Sequence, residues 1–266
     1  MILVFPMAHH YNRCASLTAP APFSRPRERI PMKPMPSVTA FALKVAAIVG
    51  MTCNHIANVF GSELPEGAMV ALYSLGGLTF PIMAYLLCEG YRHTSSVRRY
   101  AERLAVFAVV SQIPYSLLFG ATGNVLITLL IGLGMLWLVD HQRQNLALCA
   151  LGLLGGLAVS SFCDWGIIGP LMILLFWHFH DRPRGVALAM LVPFLGLGLP
   201  ALSWAISDPV PLSLGVLGYY TVGFGLATAL MLNYNGQRGR PLKWFFYGYY
   251  PGHLLALWAL AQALAL

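Results

Sequence analysis

The sequence predicts an all-α fold: a polytopic transmembrane helical bundle of about nine spans, with the N terminus in the cytosol and the C terminus outside. Three observations carry this reading. Of the 266 residues, 58% are hydrophobic and only 9% are charged, with a mean hydropathy of +0.69, whereas a soluble domain carries about 25% charged residues. Apolar stretches close to the length of a membrane-crossing helix recur from Phe41 to the last residue. Lys and Arg fall only in alternate connections between those stretches, with one exception inside the first.

The apolar runs lie at about 41–61, 67–91, 104–120, 124–140, 145–162, 166–180, 185–207, 210–232 and 244–266. None shows the apolar–polar alternation that the strands of an outer-membrane barrel would carry. Alternation from a cytosolic N terminus puts 15 of the 16 Lys and Arg residues on the inner side. They are Arg13, Arg25, Arg27, Arg29 and Lys33, then Arg92, Arg98, Arg99 and Arg103, then Arg143, Arg182, Arg184, Arg238, Arg240 and Lys243. The outer connections hold Glu63, Glu66, Asp164 and Asp208 and no base, as the positive-inside rule describes. That distribution accounts for the net charge of +7 with no nucleic acid as partner; the lipid bilayer takes that place. The five cysteines show no CxxC or other metal-ligand spacing, and no metal site is expected.

Residues 1–38 are rich in Pro and basic residues and lack helical period. They read as a disordered cytosolic tail or as translation from a start upstream of Met32 or Met35. Residues 39–266 form the membrane domain.

The remaining base, Lys44, lies within the first run, and an ionisable group at that depth is a functional candidate by default. His55 follows eleven residues later, which at about 100° per residue puts both on one helix face, roughly 16 Å apart. Lys44 could also snorkel to the cytosolic headgroups, and His55 could be a buried, satisfied histidine. Asn54 points about 100° away from His55. Glu89 and His93 form an i,i+4 pair at the cytosolic end of the second run; this is a surface pair, a cytosolic substrate site, or a partner for Arg103. Gln112, Pro114 and Tyr115 place an amide, a kink and a hydroxyl in the third run. Asn124 and Asp164 are each positioned to cap the helix that comes next. Tyr247, Tyr249 and Tyr250 read as interfacial anchors, and His178 and His180 as surface residues. His253, near the middle of the last run, could meet His55 in a bundle and form a proton-relay or acyl-transfer site.

These residues carry a resemblance. Leu43-Lys44, Met51, Asn54-His55-Ile56, Phe80-Pro81-Ile82, Glu89-Gly90-Tyr91 and His93-Thr94 are similar in order and spacing to the TraX-type conjugal-transfer membrane proteins. Tyr100, Arg103-Leu104, Gln112-Ile113-Pro114-Tyr115, Asn124-Val125, Thr128-Leu129-Leu130, Tyr249-Tyr250-Pro251 and His253-Leu254 continue it. The resemblance implies a multi-pass protein of the bacterial inner membrane that takes acetyl-CoA as co-substrate. The implied acceptor is the N terminus of a conjugative pilin or another membrane-associated molecule. It further implies that His55 is the catalytic base or acyl carrier, with Lys44, ten intervening residues before it, orienting the donor. Asn54 stands beside His55, and Glu89, His93, Arg103, Gln112, Tyr115, Asn124 and His253 line the substrates. Two departures stand out: Asn54 where the family has Asp, and Gly76-Gly77 where it has Gly-Arg. A non-catalytic partner in a conjugation or secretion machine is the alternative, and a proton-coupled transporter a further one, although no internal repeat supports the latter.

Overall fold

The computed structural model describes residues 38–265 apart from Arg143, Asp181 and Pro183; the tail expected over 1–37 lies outside the described residues. All regular structure described is helical, with two isolated bridges, Val38 to Tyr234 and Gly123 to Cys163. Helix α1 spans Ala40–Phe60, α2 Glu66–Gly76, α3 Thr79–His93, α4 Val97–Phe119, α5 Val125–His141, α6 Leu146–Ser160 and α7 Ile168–Phe179. Then α8 (Gly185–Pro193) and α9 (Leu199–Ser207) are joined through a π-helical turn, Phe194–Gly198, and α10 (Pro211–Gly218) and α11 (Phe224–Leu232) through another, Tyr219–Gly223. Helix α12 covers Lys243–Ala263.

These elements coincide with the nine apolar runs, with three differences. The second run is two helices, broken at Gly77 and Leu78. The helix of the third run, α4, starts at Val97 rather than 104, because the Ser96 hydroxyl accepts the Arg99 amide and caps a basic first turn. The seventh and eighth runs each contain a π-helical turn, a feature with no periodicity to announce it. Five segments are long and apolar enough to cross a bilayer among the described residues: Ala40–Glu63, Glu66–His93, Val97–Phe119, Gly185–Ser207 and Pro211–Leu232. Helices α5, α6 and α7 are apolar but shorter.

Leu43, Phe80, Ile82, Leu129, Met172, Ile173, Phe224 and Leu254 are fully buried and form the centre of the core. Outward, Val109, Ile113, Leu146, Leu151 and Ile206 are exposed. An apolar surface of that extent belongs against lipid, and the chain is a multi-pass membrane bundle.

Helix α2 crosses α10 and the π-turn that follows it at a seam of glycines. A Cβ on Gly77 would collide with the Tyr219 carbonyl, and one on Gly223 would lie 2.5 Å from the Gly77 Cα. Small residues let helix backbones approach closely in membranes, and here the approach leaves no room for any side chain.

Candidate active site

Helices α1 and α12 run side by side. Lys44 Nζ lies 5.5 Å from the Phe246 ring centroid, Thr52 Oγ1 is 2.7 Å from the Tyr249 hydroxyl, and His55 Nδ1 is 2.7 Å from His253 Nε2. Partners advance in the same direction on both helices, so the pair is parallel. The Thr52 hydroxyl donates to the Ile48 carbonyl, which makes Tyr249 the donor to Thr52.

Both histidines are buried. Their rings are 3° from parallel with centroids 5.0 Å apart, a separation equal to the hydrogen bond plus two ring radii; they lie edge to edge in one plane. The network sets the tautomers. His253 Nδ1 is 2.9 Å from the Tyr249 carbonyl, which can only accept, so this nitrogen carries the hydrogen. The neutral ring then offers a lone pair at Nε2, His55 Nδ1 donates to it, and His55 Nε2 is left with a lone pair. That atom has no hydrogen-bond partner among the described residues. The dyad therefore presents one defined basic atom.

Around it stand Phe119, 5.1 Å from the His55 ring, and Tyr250, 6.5 Å from it. Tyr115 packs on Phe119 at 5.1 Å. Pro114 lies inside α4, and Gln112 and Asn124 clamp the connection from α4 to α5. Gln112 Nε2 donates to Ser116 Oγ and the Thr122 carbonyl, and its Oε1 accepts from the backbone amide and side chain of Asn124. Asn124 Oδ1 accepts the Leu126 amide and caps α5, as its position suggests.

The other sequence candidates lie apart from the dyad. Glu89 accepts from His180 at 2.8 Å and lies 3.8 Å from His93. His180 is thus no free surface residue; its partner is 91 positions away and invisible to local reading. Arg103 lies over the Tyr100 ring at 5.9 Å, and its Nε is buried without a partner among the described residues. His178 lines an open concavity with Arg92, His141 and Trp177. Among the described residues no three His, Cys, Asp or Glu side chains converge as metal ligands.

A family model described as TraX protein matches residues 40–261. The chain belongs to the TraX family. It is also 30% identical over 235 residues to the "Probable fimbrial assembly protein FimC, serogroup H1" of Dichelobacter nodosus, a match covering 82% of this chain and 94% of that one. No solved structure matches the chain.

Of the two departures from the TraX pattern, Asn54 meets the backbone of Gly76, one residue before the other departure. A Cβ on Gly76 would lie 2.7 Å from the Asn54 Cβ, so Asn54 packs onto the α2 backbone beside Gly77. Gly77 itself faces the Tyr219 carbonyl and Gly223 rather than Asn54, so neither position brings a charge into the bundle.

Asp164 does not cap α7. Trp165 and Gly166 take positive φ values of 68° and 43°, which delays the helix to Ile168, and the end residue Ile167 makes no side-chain cap. Instead the Asp164 amide donates to the Gly123 carbonyl and its own carbonyl accepts the Thr128 hydroxyl. A bulky residue at positive φ is a genuine outlier; the buried anchoring on both sides holds it there. Asp164 retains some surface area, but its carboxyl is enclosed. Burial pushes it from 3.8 up to about 6. The native state therefore binds its proton more tightly than the unfolded chain, and stability should fall as pH rises from about 4 through 6 and level off above. Asp164→Asn should flatten that decline in thermal melts across the interval. An unchanged profile would assign the pH dependence elsewhere.

Proposed function

We propose that this chain is a membrane acetyltransferase in which His55 Nε2 is the general base, taking a proton from an acceptor amine as the amine attacks the thioester of acetyl-CoA. The products are an N-acetylated acceptor and free coenzyme A thiol. The observation that carries the reading is the hydrogen-bonded line from His55 through His253 to the Tyr249 carbonyl, which leaves a single lone pair facing away from it. A positioned imidazole contributes about 10²–10⁴-fold as a general base. A proton-coupled carrier needs ionisable groups chained across the bundle. Here Glu89 and Lys44 make their own separate contacts.

The proposed topology has nine crossings with the N terminus in the cytosol, supported by the charge distribution and by the parallel pairing of the first and ninth helical segments. Lys44 then lies at the cytosolic end, where it would meet the phosphates of the donor. The proposed acceptor is the N terminus of a pilin, supported by the fimbrial assembly role in the relative's name. That name equally fits a second reading, a non-catalytic assembly factor.

The test uses membranes holding the full chain, acetyl-labelled acetyl-CoA and a host membrane extract. Label should appear in an acceptor with the native chain and not with a variant lacking the His55 imidazole. Equal labelling, or none, while pilus assembly stays normal, would favour the assembly factor.

A further inference from the structure

Acetyl transfer needs hydrogen-bond donors for the oxygen that becomes negative in the tetrahedral intermediate. The side-chain amides of Gln112 and Asn124 are fully engaged with each other, with Ser116 and with the backbone. The hydroxyl of Tyr250 is different. Tyr250 is 4% exposed, and its oxygen is buried with no partner of normal hydrogen-bond geometry among the described residues. A buried hydroxyl without a partner costs roughly 1–3 kcal/mol, which is a reason to look for a ligand that would satisfy it.

Its surroundings supply one. The Tyr250 ring lies 5.6 Å from the His253 ring and 6.5 Å from that of His55, and its hydroxyl sits beside the backbone amide of Val125. Val125 is the first residue of α5, a helix of 17 residues. At that end the Leu126 amide goes to the Asn124 side chain and the Ile127 amide to the Asn124 carbonyl. The Val125 amide has no backbone acceptor among the described residues. A helix N terminus carries about half a positive charge, and free amides there favour anions. One N–H and one O–H thus lie side by side, the O–H on a ring that neighbours both histidines.

We propose that the Tyr250 hydroxyl and the Val125 amide form the oxyanion site for an acyl thioester, an assignment that rests on the acetyl-transfer reading. The amine nitrogen bonds to the thioester carbon, and the carbonyl π electrons move onto oxygen, which takes hydrogen bonds from Tyr250 and Val125. The amine proton passes to His55 Nε2. On collapse the C–O double bond reforms, the C–S bond breaks, and the departing sulfur takes that proton from His55.

The experiment is Tyr250→Phe in the full chain, assayed in membranes with acetyl-CoA and the host acceptor. The loss of one oxyanion donor should lower kcat by about 10²–10³-fold, with KM for acetyl-CoA within about twofold and the thermal midpoint unchanged or higher. A purely structural hydroxyl would instead lower the midpoint and spare kcat. A variant rate within about threefold of native, or a change confined to KM, overturns the assignment while leaving acetyl transfer intact. Absence of transfer by the native chain overturns the acetyl-transfer reading itself.

Discussion

His55→Ala should lower the rate of acetyl transfer by about 10³-fold or more, since it removes the only lone pair that the dyad presents. His253 offers a finer test because its role is to position. His253→Leu removes the acceptor for His55 Nδ1–H, frees the ring to change tautomer, and should reduce kcat by about 10²-fold. In His253→Gln the amide oxygen can still accept that hydrogen bond, and the rate should recover to within about tenfold of native. The measurement is initial label incorporation at saturating acetyl-CoA, with each variant's level in the membrane determined alongside. If the Leu and Gln variants are equally impaired, His253 acts through something other than that bond. If His55→Ala keeps full activity, the dyad is not the base.

Gly77→Val should cause the largest loss of stability of any single substitution in α2 or its C-terminal break. Its Cβ would occupy the place of the Tyr219 carbonyl, and the neighbouring Gly223 offers no space to retreat into. Overpacking of a core costs about 1–3 kcal/mol where side chains can give way; here the obstacle is backbone, so at least the upper end is expected. Gly225→Val is the control, because a Cβ there meets nothing within 4 Å. Thermal melts in detergent should separate the two variants by many degrees. Equal midpoints would mean that α2 and the π-turn can part without harm.

The parts of this fold legible in the sequence are those set by the membrane. Long apolar runs and one-sided bases arise directly from the cost of exposing charge and unbonded backbone to hydrocarbon, and the helices sit where those runs lie. Helix interruptions were not legible. The break at Gly77 and the turn at Tyr219–Gly223 exist because two segments distant in sequence cross there, and neither run alone records the crossing. The proximity of His55 and His253 could be conjectured from two histidines at similar depth. The pairing of His180 with Glu89 could not, for it depends on how α3 and α7 pack. Asp164 misled because a capping residue is recognised by a helix beginning immediately after it, and a tryptophan at positive φ is the last conformation a local rule would assign. Tyr250 was overshadowed by its aromatic neighbours. The available signal was its spacing three residues before His253, which puts both on one face.

The pairing of the first helix with the last also bears on biogenesis. His55 and its partner are 198 positions apart, so during synthesis the polar face of α1 enters the bilayer well before the segment that satisfies it. Helix α12 carries three tyrosines and a histidine and, though 21 residues long, is not among the five segments apolar enough to cross on their own merits. Each helix thus supplies the hydrogen-bond partners that the other lacks in lipid. The consequence is a chain whose His55–His253 pair cannot form in any fragment that ends before α12: the two halves of the contact enter the membrane at opposite ends of synthesis.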